Sequence, residues 1–181
     1  MIGFLTTEYP GLTANYGGIG TSIRDLARGL LNRKIIPFIF LVNDMEDVVQ
    51  TLDGINIIRI KRKRLSGLTA YLTGKKISQV VNAFVKDGKI DVLEVPDWTG
   101  LSAFVKVNSP IVMRLNGSDT YFKHLEGKSS KFRYRFLERR AFTRANHLLS
   151  VSQYTSDITN HIFHSNREMD IIPNAVDSDL F

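Results

Sequence analysis

The chain predicts a doubly wound α/β domain built on a mainly parallel sheet of about seven strands. Two observations carry that prediction: short apolar runs rich in Ile, Val, Leu and Phe recur along the chain, and the stretches between them show helical spacing. Parallel neighbours need crossover connections, and helices supply them on the two faces of the sheet. A third observation bears on domain count. No internal repeat, low-complexity tract or Pro/Gly/Ser linker interrupts the pattern, so residues 1–172 read as one unit.

Taken in order, the first strand is expected at residues 2–5, where Ile2, Phe4 and Leu5 form a buried run. A helix follows, marked by Ile19, Ile23, Leu26, Ala27, Leu30 and Leu31 at i, i+3/i+4 and i+7 spacing. Strands are expected next at residues 36–42 and 55–60, then a helix marked by Ile77, Val80, Val81 and Phe84. Further strands fall at residues 91–95, 111–115, 147–151 and 169–172, with weaker helical patterns after Trp98, Lys131 and Ser152. In the pattern after Lys131, Arg133, Arg140 and Arg144 share one face while Tyr134, Leu137, Ala141 and Ala145 share another. Glu138 falls inside the apolar arc, where a carboxylate needs a partner; Arg114 is the partner expected from sequence.

Composition excludes several classes. The 181 residues include no cysteine, which rules out Cys-based zinc sites, haem attachment, a thioredoxin-type dithiol and a cysteine nucleophile. A chain of this size buries roughly 70% of its unfolded surface, enough to fold without disulfides or a structural metal. The longest apolar run, residues 35–42, contains Pro37 and falls far short of the ~20 residues that span a bilayer. No basic segment precedes the first apolar stretch, so no secretion signal is expected and the expected compartment is the cytoplasm. The 24 Lys and Arg against 18 Asp and Glu give a net charge of +6, which favours anionic partners without choosing among phosphorylated molecules, nucleic acid and acidic membrane. No Gly-x-Ser-x-Gly elbow supports a serine hydrolase.

In an open α/β sheet, ligands bind outside the carboxyl ends of the strands, so the loops there are the place to look. Four of them carry unusual residues. Tyr16-Gly17-Gly18-Ile19-Gly20 opens onto the first helix, and it reads equally as a plain turn with a helix start or as an anion site made of free amides. Glu94-Val95-Pro96-Asp97-Trp98 suits sugar recognition, with carboxylates for hydroxyls and an aromatic face for C–H groups; the plainer alternative makes Asp97 a helix N-cap and buries Trp98. Asn116-Gly117 suggests a turn, with Ser118 or Asp119 capping a helix. Ser152 is a candidate N-cap facing the same crevice.

Together these loops resemble the N-terminal half of a retaining glycosyltransferase of the GT-B fold, in glycosyltransferase family 4 with its glycogen-synthase-like relatives. The resemblance runs along the whole chain: the glycine loop at Gly17 and Gly18, the Asp97-Trp98 pair, Asn116-Gly117-Ser118-Asp119 where the family commonly has His-Gly-Ser-Asp, and the segment ending in Val151-Ser152. Ile172-Pro173-Asn174-Ala175-Val176-Asp177, with Phe181 beyond it, is similar to the family's passage into a second domain.

What the resemblance implies is a Rossmann-like acceptor-side domain, residues 1–172, followed by an inter-domain junction at 173–181, with the nucleotide-binding half absent from this chain. It implies transfer from a nucleotide-sugar donor, as co-substrate, to a carbohydrate or lipid acceptor. It also implies retention of configuration, no metal and no other cofactor, and little activity without a C-terminal domain in cis or a partner chain. Gly17 and Gly18 would approach donor phosphates or the acceptor, Asp97 would contact sugar hydroxyls, and Asn116 would stand beside the transferred sugar. Glu94, Trp98, Gly117 and Ser118 would line the same cleft, together with Asp119, Ser152 and Asn174. Asn116 departs from the family's His and cannot exchange a proton near neutral pH, which leaves room for a non-catalytic sugar- or phosphate-binding module or one subunit of a split enzyme. Apart from the resemblance, the basic helix face reads either as a solvated surface or as a peripheral contact with anionic membrane; a nucleic-acid partner is not expected, because no exposed aromatics alternate with Arg or Lys along a strand.

Overall fold

The computed structural model describes residues 1–174; the part of the expected junction from 175 to 181 lies outside the described residues. In chain order the elements are β1 (Ile2–Thr6), α1 (Gly18–Asn32), β2 (Pro37–Asn43), β3 (Val48–Leu52), β4 (Ile55–Lys61), α2 (Thr69–Lys86) and β5 (Val92–Pro96). A single 3₁₀ turn, Trp98–Gly100, comes next, and then β6 (Ile111–Leu115), α3 (Asp119–Leu125), α4 (Phe132–Arg144), β7 (His147–Ser150), α5 (Gln153–Phe163) and β8 (Asp170–Ile171).

Among the described residues the strands form one eight-stranded sheet in the order β3-β4-β2-β1-β5-β6-β7-β8. Every pairing is parallel except β3 with β4. The extra strand corrects the expected seven. Its residues alternate between half-buried and exposed, so it carries no continuous apolar run. The turn after it was legible: Asp53 and Gly54 both take positive φ, the two-residue Asp-Gly hairpin that joins antiparallel strands.

The period-2 alternation along each strand divides the core. On one face Phe4, Ile39, Leu41 and Ile57 meet Ile23 and Ala27 of α1. On the other, Leu5, Phe40 and Ile58 belong to a larger cluster that includes Ile77 of α2, Leu137 of α4 and Ile162 of α5. Helices therefore cover both faces, as a doubly wound sheet requires.

The helix expected after Trp98 stops after one turn. Thr99 and Gly100 both sit in the left-handed region, with φ of 54° and 65°. Gly100 lies so close to α4 that a Cβ there would come within 2.4 Å of the Leu137 carbonyl carbon, so the turn is shaped by docking against another helix. Arg140 also departs from expectation. Instead of joining the outer basic face, its Nε donates to the Ala103 carbonyl at 2.9 Å and its guanidinium lies 4.8 Å from the Phe104 ring centre.

Candidate functional site

The sheet order reverses between β1 and β5, whose chains leave in opposite directions. That reversal opens a crevice at the carboxyl ends of the strands. A cleft of about 330 Å³ occupies it. Thr6, Thr7 and Glu8 line it from the end of β1, and Gly17, Gly18 and Ile19 from the start of α1; Pro96 ends β5 and Trp98 follows it, and Asn116 and Gly117 follow β6. Phe122 and Asn174 complete the wall.

The glycine loop is held by a residue that sequence reasoning missed. Glu8 accepts from the Gly17 amide at 3.0 Å and from the Gly20 amide at 2.8 Å. The first turn of α1 has no acidic side chain of its own and Gly17 has none to offer, so Glu8 supplies the negative charge a helix start favours. Thr6, fully buried, fixes the Glu8 backbone: its hydroxyl donates to the Glu8 carbonyl at 2.9 Å. No local pattern reveals this cap, because it spans nine and twelve residues of irregular chain.

Across the cleft, Asp97 is buried and turned away from it. Its two carboxylate oxygens accept from the amides of Asn116 at 3.2 Å and Gly117 at 3.1 Å. It does not cap a helix, as the plainer reading expected; it ties the loop after β5 to the loop after β6. Burial pushes its carboxyl up to about 7, against the pull of those two amides, and the neighbouring Glu138 adds to the rise. Asp97 thus sets the height and tilt of Asn116 and presents no oxygen to a ligand.

Glu138 performs the same work one layer deeper. It is 2% exposed, and it accepts from the amides of Thr99, Asp119 and Thr120, each at 3.1 Å, and from the Thr120 hydroxyl. The expected pairing with Arg114 does not form: the carboxylate instead satisfies the open amides at the start of α3 and the strained turn at Thr99, which no sequence spacing discloses. Burial pushes the pKa of its carboxyl above the usual carboxylate range. Arg114 turns to Glu94, Nε to Oε1 at 2.7 Å, so Glu94 is spent in a buried ion pair and does not line the cleft.

The remaining expected residues divide. Asn116 stands in the cleft, its Oδ1 accepting from Asn174 Nδ2 at 3.0 Å. Gly117 has φ of 104° and lies under the Phe122 ring, which a Cβ would meet at 2.9 Å. Trp98 is 38% exposed, not buried, and sits edge-on to Phe122 with ring centres 6.3 Å apart, so the two make an aromatic wall. Ser118 caps α3, accepting from the Tyr121 amide at 3.2 Å; Asp119 accepts from the Ser130 hydroxyl at 2.8 Å. Ser152 caps α5, accepting from the Thr155 amide at 3.1 Å. These three are outside the cleft lining. Among the described residues no three His, Asp or Glu side chains converge where a metal ion would sit, and no helix is long and apolar enough to cross a membrane.

Solved structures share this architecture. The chain superposes on sucrose-phosphate synthase from Thermosynechococcus elongatus with a TM-score of 0.71 at 15% identity, covering 99% of this chain and 49% of that one. It is similar to the catalytic domain of starch synthase IV from Arabidopsis thaliana bound to ADP and acarbose, with a TM-score of 0.62 at 13% identity, covering 98% and 52%. A transferase from Siraitia grosvenorii in complex with UDP gives 0.54 at 13%, covering 97% and 49%. The chain spans about half the length of these structures. At such identities they show the fold: the Rossmann-like N-terminal domain of the GT-B architecture. No curated protein sequence matches the chain. The sequence itself matches the model of Glycosyltransferase Family 4 over residues 16–180, from the glycine loop through the last strand, and by that match the chain belongs to glycosyltransferase family 4.

Proposed function

We propose that this domain is the acceptor-side half of a retaining glycosyltransferase, which moves a glycosyl group, of hexosyl type, from a nucleotide-sugar donor to a carbohydrate or lipid acceptor in the cytoplasm. The observation that carries the reading is the cleft at the point where the strand order reverses, walled by the glycine loop, Asn116 and the Trp98–Phe122 pair. Hydrogen-bonding groups on one side and aromatic carbon on the other match the two faces of a sugar. The nucleotide is held by a second unit, in cis or in a partner chain; the binding of ADP and of UDP by two of the neighbours supports a nucleotide-sugar donor. No cofactor or nucleic acid enters the reading.

This chain's own side chains orient rather than exchange protons: Asn116 hydrogen-bonds a sugar hydroxyl, and the buried Asp97 beneath keeps it in place. Incubated alone with UDP-, ADP- and GDP-hexoses, the 181-residue chain should release no nucleotide, while a polypeptide that also carries the nucleotide-binding unit should release it and give product of retained configuration by NMR. Turnover by this chain alone, or an inverted product, would sink the reading.

Asn116 supports a second reading, a sugar-binding module or one subunit of a split enzyme that does no proton chemistry at this position. Asn116→His in the two-unit enzyme separates the two: a large gain in turnover favours the module, unchanged turnover the enzyme.

Peripheral contact with an anionic membrane belongs to the same proposal; Arg140 no longer supports it, while Arg133 does so together with its neighbours at the start of α4. Phe132 is 84% exposed and stacks with Phe136 at 6.4 Å, beside exposed Lys128, Lys131, Arg133 and Arg135. Rings at headgroup depth with cations for lipid phosphate suit such a surface. Co-sedimentation with phosphatidylserine vesicles and not with phosphatidylcholine vesicles is the expected outcome, lost in Phe132→Ser/Phe136→Ser.

A further inference from the structure

The four histidines of the chain divide by what surrounds them. His147 is paired with Asp170 at 2.6 Å, and His164 ends α5 with a left-handed backbone. The other two come together from different helices: His124 of α3 and His161 of α5 have ring centres 5.7 Å apart, with the ring planes inclined at 52°. Both are exposed, and among the described residues neither ring has a hydrogen-bond or ion-pair partner. Their nitrogens are therefore open to a shared ligand. Two imidazoles on one tetrahedral ion, with metal–nitrogen bonds of about 2.0–2.1 Å, place their ring centres about 5 Å apart. The observed spacing is a small side-chain rotation away from that, and the outer torsion of histidine is broad. Both residues also lie in the last turn of their helices, where the carbonyl ends favour a cation. Lys123, the neighbouring cation on α3, is offset by Glu126 at 2.9 Å.

We infer that His124 and His161 form a surface site for a divalent transition ion of the zinc class, which bridges α3 and α5 and completes its coordination with water. Imidazole nitrogen suits Zn²⁺, Ni²⁺ and Cu²⁺, whereas Mg²⁺ and Ca²⁺ require oxygen ligands. Two protein ligands leave the remaining positions to water, so the ion is held with modest affinity and exchanges, unlike one in a closed four-ligand centre. Neither histidine lines the cleft. The ion acts on it from outside: α3 carries Phe122 of the aromatic wall, and tying α3 to α5 stiffens that wall without placing a charge beside the substrate. The site is independent of the proposed sugar transfer.

Zn²⁺ titrated by calorimetry into the chain, prepared without a polyhistidine tag, should bind one to one with a dissociation constant below about 200 µM, while Mg²⁺ at about 10 mM gives no uptake. The thermal midpoint should rise with Zn²⁺ and not with Mg²⁺, because an ion that binds only the folded chain stabilises it. His124→Gln and His161→Gln should each weaken Zn²⁺ binding at least about tenfold, and His147→Gln and His164→Gln should leave it at the wild-type value. Weaker binding by the wild-type chain, binding that survives either of the first two substitutions, or a dependence on His147 or His164 overturns the inference. Should a variant lose its native circular dichroism, NMR of the wild-type chain decides. The imidazole resonances of His124 and His161 should shift together as Zn²⁺ is added, while those of His147 and His164 stay in place. Movement of one of the pair without the other overturns the inference. None of these readings depends on sugar transfer, so a failed transferase assay and a failed ion site are told apart.

Discussion

Two helix starts border the cleft, and each has two amides bound by a carboxylate from elsewhere in the chain. At α1 the carboxylate is Glu8, on a half-buried loop only nine residues before the first amide it binds. At α3 it is Glu138, 2% exposed, reaching from the neighbouring helix across 18 residues to Thr120 and 39 to Thr99. Glu8 keeps contact with water and with whatever enters the cleft. Glu138 is sealed beneath it, and its removal leaves amides that water cannot reach. The same device opens onto the cleft at one helix start and is sealed in the interior at the other.

The largest effect expected from this contrast is Glu138→Ala. It strands three amides and a hydroxyl in the interior and should lower unfolding free energy by about 3–5 kcal/mol in urea titrations. A loss no greater than that of Glu8→Ala would break the comparison.

Asp97 comes next, through pH. Its folded-state value of about 7 lies above its ordinary 3.8, so the native protein binds the proton more tightly than the unfolded chain. Its contribution to stability is therefore greatest below about pH 4, falls as pH rises toward about 7, and is constant above, a span on the order of 4 kcal/mol. Asp97→Asn, which cannot ionise, should gain stability relative to wild type progressively across that window. A difference between the two proteins that is flat with pH would place Asp97 with the solvated carboxylates.

Smaller changes sharpen the exposed side. Glu8→Ala should cost about 1 kcal/mol, the value of a helix cap whose amides water can replace. Thr99→Gly should stabilise the chain by about 1 kcal/mol or less, because a β-branched residue at φ of 54° is strained and glycine is not. Thermal melts resolve both.

Sequence reading reached the parts of this molecule that follow from local pattern. Seven strands lie where apolar runs fall, α1 and α2 where the helical spacing predicts, and Ser118 and Ser152 cap the helices that begin beside them. The eighth strand escaped because β3 sits at an edge and buries only half its residues. The cleft lies at the strand ends, among the loops singled out from sequence, but two carboxylates there have partners other than those expected. Asp97 was expected to meet sugar, and it holds the Asn116 loop from below; Glu138 was expected to pair with Arg114, and it satisfies backbone amides. A carboxylate's partner in three dimensions is set by docking of whole elements, and no spacing rule encodes which amides a distant helix will leave open.

The turn at Trp98–Gly100 has a consequence for the order in which the molecule assembles. Its left-handed residues and its contact with the backbone of Leu137 are stable only once α4 has arrived, and α4 lies nearly forty residues downstream. Closing a loop of that length costs entropy before any of its contacts form. The Asn116 loop and the start of α3 depend on the same arrival. The β1–β2–β4 half can therefore collapse on α1 early, while the second wall of the cleft is a late event of folding, completed as Glu138 closes over amides that until then are open to water.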